Sequence, residues 1–183
     1  MDLIQQNHNM KKFKLTQGDA YDLSMVMSMV IKEQSNKLTF KEILRLQKFV
    51  NYTLKEITDF SSKIDKINEE KAVFVENANK KIVKYREELQ KSLPKDAESA
   101  EKLNTSVQEF VQTILKEAEI GVEGEIKPKV ESLYTVEGKV EKEFEVEEES
   151  HKVLVDAFEL YAKEKYNNKN RMIEVYETLT SAE

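Results

Sequence analysis

The sequence predicts a mainly α fold: one long amphipathic helix over about residues 40–93, flanked by antiparallel helices, with a small β element over about 122–147. Three observations carry that expectation. No glycine or proline falls between Asp19 and Leu93, whereas sheet-rich chains need turn residues every ~8–12 positions. Apolar residues recur on a heptad spacing from Ile43 to Leu89, the period of a helix that buries one stripe. Strict alternation of apolar with Lys or Glu, the strand period, is confined to two short stretches near Lys11 and Val146.

Taken in order, Lys11-Lys12-Phe13-Lys14-Leu15-Thr16 alternates and reads as a short strand. Thr16 followed by Asp19 reads as a helix start, with an acid in the first turn. The helix covers about 19–34, with Leu23, Met27, Val30 and Ile31 on its apolar face and Met25, Val26 and Met29 widening it. Core filling is the favoured role of these pliable methionines, over an adaptable partner groove. Ser35–Leu38 breaks the pattern. Thr39 and Glu42 restart it as a capping box, each side chain satisfying an orphan amide of the other's turn.

The long helix then has two seams. Ile43, Val50, Ile57, Ile64, Lys71, Ala78 and Tyr85 form one; Leu46, Thr53, Phe60, Ile67 and Phe74 form the other, sliding by one to Ile82 and Leu89. That slide is the drift of a 3.6-residue helix against a 3.5-residue repeat. About 50 residues make a rod ~75 Å long, and Pro94 stops it. A further helix over about 96–118 carries Leu103, Val107, Phe110, Val111, Ile114, Leu115 and Ala118 on one face, with Gly121 as its expected end. The short break before it folds it back on the long helix.

Val122, Ile126 and Val130 fit either period, while Tyr134, Val136, Val140, Phe144 and Val146 alternate with charge. The expectation is a two-stranded element turning near Glu137-Gly138-Lys139. Ser150 is the expected cap of a helix with Leu154, Ala157, Phe158 and Tyr161 on one face. A turn at 167–170 precedes a last short helix ending near Leu179. The domain organisation expected is a tail over 1–10, a helical, coiled-coil-like bundle over 11–121, and a small acidic α+β region over 122–183.

Composition limits the chemistry. Charged residues make up 35% and hydrophobic ones 39%, a thin core under a charged surface compared with the usual ~25% and ~45–50%. Without cysteine there is no disulfide, thiolate metal site or thiol nucleophile. The best apolar run, Leu23–Ile31, is far short of the ~18–20 residues of a membrane span. The opening residues lack the basic and apolar regions of a signal peptide, so a cytoplasmic protein is expected. The net charge of −6 conceals a split: residues 1–95 hold 18 Lys/Arg against 13 Asp/Glu, and residues 96–183 hold 11 against 22.

Neither an enzyme nor a cofactor or metal site is expected. His8 falls in the tail and His151 at a helix start, both reading as surface residues. The single Glu-x-x-His, Glu148 to His151, has no second copy to complete a di-iron set. No glycine-rich loop suits a phosphate. The basic end of the long helix (Lys80, Lys81, Lys84, Arg86, Lys91, Lys95) is interrupted by Glu87 and Glu88, so it reads as a solvated face and nucleic acid is not an expected partner. Glu117 to Glu149 holds 12 Glu against 4 Lys. Within it, Glu141, Glu143, Glu145, Glu147, Glu148 and Glu149 form a candidate acidic surface.

The strand Phe13-Lys14-Leu15, the apolar helix after it, the Asn36-Lys37-Leu38 opening of a long charged helix and the late Val/Glu alternation resemble small bacteriophage proteins of uncharacterised function from phages of low-GC bacteria. The resemblance spans about residues 11–160. It implies a phage setting, in host cytoplasm or virion, and assigns no catalytic or binding residues.

A functional expectation follows from the packing. The 19–34 helix reaches along the long helix to about residue 58, and the 96–118 helix back to about residue 72. Ile57, Phe60, Ile64, Ile67 and Phe74 lie at or between those limits, an apolar stripe large enough to mark a contact surface. The expected function is a non-catalytic structural or assembly protein of a phage particle, contacting a protein partner or forming a homo-oligomer through that stripe, with no membrane. The alternative is a small acidic inhibitor, of anti-defence or nucleic-acid-mimic type, that binds a host protein through the six glutamates.

Overall fold

The computed structural model describes residues 9–92, 97–162, 165–166 and 169–182, and side chains for all of these but 97–100. Residues 1–8 of the expected tail, Pro94, Asp96 and the expected turn at Asn167-Asn168 lie outside the described residues. The elements are β1 (Met10–Thr16), α1 (Gln17–Glu33), α2 (Phe40–Glu56), α3 (Thr58–Ser92), α4 (Ala97–Gly121), a π-helical turn (Val122–Ile126), α5 (Lys127–Val136), β2 (Glu141–Glu147), α6 (Glu148–Ala157), a second π-helical turn (Phe158–Ala162) and α7 (Lys169–Thr180). The fold is mainly helical, with a long helix and a small sheet, as the apolar spacing predicts. Among the described residues no helix is long and apolar enough to cross a membrane.

The local signals work where expected. Thr16 Oγ1 accepts from the Asp19 amide at 3.2 Å and caps α1. The Thr39–Glu42 capping box is complete, the Glu42 carboxylate accepting from the Thr39 amide at 2.6 Å. These hydrogen bonds hold the Glu42 carboxyl below its ordinary pKa.

The rod expected over 40–93 is two helices meeting at Ile57, whose backbone leaves the helical region at φ −114°, ψ 29°. No glycine or proline marks the place. Thr58 does: its hydroxyl donates to the Lys55 carbonyl at 2.6 Å. A threonine bonding back to the preceding turn competes with the backbone ladder and bends helices. Asp59 then supplies an acid for the first turn of α3.

The predicted two-stranded element over 122–147 is half right. β2 exists, but it pairs antiparallel with β1, Phe13 opposite Phe144 and Lys12 opposite Glu145. Residues 122–136 are helical, with Ile126 and Leu133 buried. α4 ends at Gly121 as expected, but the glycine's backbone stays right-handed helical and the chain runs on into the π-helical turn. The widened turn at Val122–Ile126, where the Lys127 amide reaches the Val122 carbonyl, lies just before Pro128, which has no N–H for the ordinary ladder. Ser150 is likewise inside α6, which is preceded by Glu147.

The chain forms two compact units, Met1–Ser61 with Tyr134–Glu183, and Ser62–Leu133. This division differs from the one expected at residue 121. In the first unit the inner face of the ribbon (Phe13, Leu15, Phe144, Val146) joins Leu23, Met27 and Val30 of α1, Leu46 and Phe49 of α2, Leu154 of α6 and Val175 and Leu179 of α7, all buried. Of the three methionines expected to fill the core, Met27 is fully buried, Met25 is half-buried and Met29 is exposed. The second unit is a helical hairpin.

Candidate protein-contact surface

Within the second unit, α3 and α4 run antiparallel. Lys81 Nζ lies 3.2 Å from Glu117 Oε2, and the Tyr85 ring stacks on Phe110 with centroids 4.0 Å apart. A Cβ on Gly121 would stand 2.5 Å from Phe74 Cε1, so the glycine is there for close approach of this ring. The unit has a thin core. Ile64, Ala78, Ile114, Ile126 and Leu133 are its buried apolar residues, while the seam side chains Ile67, Phe74, Ile82, Phe110 and Val111 are half-buried. Two helices cover each other along one line only, which leaves both flanks of the seam to solvent.

The two flanks differ. One carries the ion pairs: Asn77, Lys80, Lys81 and Glu117 border a groove of about 490 Å³ floored by Phe74, Ala78, Ile114 and Ala118, Lys129 pairs with Glu70 farther along, and the exposed Val73 and Ile120 lie singly on its outer side. On the other, helical spacing aligns Val75 with Ile82 on α3 and Val111 with Leu115 and Val122 on α4. Val75 is 53% exposed and Leu115 47%. Beside Val107 and Val111 the flank holds a shallow depression of about 440 Å³, bordered by Gln108 and Gln112 with Glu109 on its outer rim.

Of the stripe expected to hold a partner, Ile57, Phe60 and Ile64 are buried. Phe60 lies edge-on between Tyr21 and Tyr134, with ring centroids at 6.1 and 5.4 Å. Ile57 and Phe60 belong to the core of the first unit, where Tyr134 stands against Phe60, and Ile64 is buried within the second. Ile67 and Phe74 are half-buried in the hairpin seam.

The six glutamates of the candidate acidic surface are all exposed. Glu141, Glu143, Glu145 and Glu147 share the outer face of β2, but β1 sets Lys14 opposite Glu143 and Lys12 opposite Glu145, with a 3.6 Å ion pair at the latter. Glu149 pairs with Lys41 at 3.8 Å and with Arg45. Glu148 accepts from Asn9 at 3.3 Å. The face therefore sets two lysines against the middle two of its four glutamates, with Met10 and Thr16 opposite the outer two.

One cluster escaped the sequence reading because its members are scattered. Arg171 of α7 pairs with Asp19 and, at 3.2 Å, with Asp22 of α1, while its guanidinium lies 5.2 Å from the centre of the Tyr134 ring. Tyr134 Oη donates to Asp22 at 2.7 Å. Burial raises the Asp22 carboxyl above its ordinary pKa, against the opposing pull of Tyr134 and Arg171. Burial and the Asp22 charge together raise the Tyr134 phenol. Gly18 makes room, since a Cβ there would stand 2.5 Å from Arg171 Nη2. The cluster fastens α7 and Tyr134 to α1.

His151 is half-buried rather than a surface residue, its Nε2 lying 2.8 Å from the Leu179 carbonyl. Burial lowers its pKa. A base whose folded pKa lies below its unfolded value of about 6.5 contributes stability that is intact above that value and lost as pH falls through it. Denaturant titrations should therefore show stability declining from pH 7.5 to 5, and the decline should be shallower in His151→Gln. Parallel declines in the two proteins would show that His151 does not couple α6 to α7.

Among the described residues no group of three or more His, Asp or Glu side chains could hold a metal ion. Comparison with protein-family models, curated proteins and solved structures finds no match.

Proposed function

We propose that this is a non-catalytic interaction protein, acting in an assembly, that seats a protein partner on the apolar flank of the α3–α4 hairpin. The observation that supports this is the sidedness of the hairpin: ion pairs line one flank, while Val75, Leu115 and their half-buried neighbours on the other are bordered mainly by amides. Contiguous exposed apolar surface bordered by polar residues is the usual mark of a contact site. The acidic-inhibitor reading is weaker, since Lys12, Lys14, Lys41 and Arg45 offset the very carboxylates that would imitate phosphates.

A photo-crosslinking residue placed at Leu115 should capture protein in the cells that make this chain, and the same residue at Asn77 on the polar flank should not. Equal capture at both positions, or none at Leu115, refutes the reading. A phage particle, or the cytoplasm of a phage host, is the setting to which the sequence resemblance points. Presence of the chain in purified particles, as against infected-cell lysate alone, decides that narrower part.

A further inference from the structure

We infer that the partner on the hairpin flank is a second copy of this chain, two hairpins closing face to face into a four-helix bundle. The inference rests on the reading of that flank as a contact surface, and adds the identity of the occupant. Three features of the flank favour its own copy.

The first is charge. In a two-fold interface the same patch meets itself, so a patch of one sign repels its copy. This chain is 35% charged, yet the side chains that border Val75, Val111 and Leu115 on helical spacing are largely amides: Asn68 and Asn79 on α3, Asn104, Gln108 and Gln112 on α4, all exposed. An amide both donates and accepts, so it can pair with an identical amide. The charged side chains at this margin are of both signs, Arg86 with Glu109 and Glu119. Depletion of charge around an apolar centre is the composition of an interface core.

The second is area. The 25 residues of α4 span ~37 Å, and two helices with axes ~8–10 Å apart present a face ~20 Å wide. The face thus offers about 700 Å² per copy, close to the ~800 Å² per partner of a standard stable interface.

The third is layering. A helical hairpin is a single layer, and small α domains are stable when a second layer covers the seam. Ile82, Val111 and Val122 are half-buried in the chain; an identical hairpin placed over them supplies side chains of matching length and spacing. The depression beside Val107 and Val111 receives one of those side chains.

Sedimentation of the full chain at 1–200 µM should give a dimer. Leu115→Glu should weaken dimerisation about 100-fold, tenfold for each of the two copies, while Asn77→Glu should leave it unchanged. Circular dichroism will show whether each variant keeps its helices. Because the chain has no cysteine, single-cysteine variants give an independent readout that does not disturb the apolar centre. Under mild oxidation Gln112→Cys should crosslink two copies, and Asn77→Cys should not. A wild-type chain that sediments as a monomer throughout, or equal crosslinking at the two positions, overturns the inference. If the wild-type chain is monomeric and Leu115 still captures a different protein in cells, the contact surface stands and the second copy is excluded.

Discussion

Replacing Phe60 by alanine should cost about 3–5 kcal/mol, the usual range for removing a fully buried phenylalanine, which places it among the largest single effects expected in this chain. Phe60 has no exposed surface, and Tyr21 and Tyr134 stand edge-on to it. Truncation loses the transfer energy of the ring, leaves a cavity that two tyrosines cannot close without moving, and forfeits both aromatic pairs at ~0.5–1.5 kcal/mol each. Urea denaturation of wild type and Phe60→Ala measures the loss. Phe60→Leu, which keeps most of the volume, should recover about half of it. A Phe60→Ala chain with wild-type stability but a weakened partner contact would instead place Phe60 on a surface.

The second large effect is at Arg171. Arg171→Leu should destabilise the chain by about 2–3 kcal/mol. That is below the ~3–5 kcal/mol of a fully buried pair, because the arginine is 28% and the two aspartates 15% and 31% exposed. Most of the loss is the cost of leaving Asp19 and Asp22 half-buried and close together without their cation. Two further substitutions separate this from lost packing. Asp22→Asn alone should be mild: the amide oxygen can still accept from Tyr134, and burial already disfavours the charged Asp22. Asp19→Asn and Asp22→Asn together, in the Arg171→Leu background, should restore more than half of the lost stability. If the triple variant is no more stable than Arg171→Leu, the arginine acts through its stem and the Tyr134 ring rather than its charge.

The sequence was most legible where one local rule acts alone. Thr16, Thr39 and Glu42 cap their helices because an orphan amide and a short oxygen-bearing side chain meet within one turn. Lys11 to Thr16 alternates because one face of the strand is buried. Local rules mislead where two compete. Val122, Ile126 and Val130 satisfy both periods, and only the π-helical turn before Pro128 explains how a helix crosses a residue that ordinarily stops one. At Ile57 no breaker is written, yet the backbone leaves the helical region there, beside a Thr58 hydroxyl that bonds back to Lys55. The Asp19–Asp22–Tyr134–Arg171 cluster was invisible for another reason. Its members come from three distant stretches, and each alone is an ordinary helix-surface residue. Val111 and Leu115 were visible as apolar positions of the 96–118 helix and Val75 fell outside both seams of the long one, but which of them stay open depends on which side of the seam carries the ion pairs.

By itself the sequence determined the helical character, the caps of α1 and α2, the polarity of each face and the absence of thiol chemistry, because these follow from backbone propensity and spacing within a few residues. Only the tertiary structure decided what covers what. Burial is a property of the partner as much as of the residue: Phe60 and Leu115 are both apolar residues on amphipathic helices, and one is core because Tyr134 stands over it, while the other stays at the surface because none of the described residues closes over it.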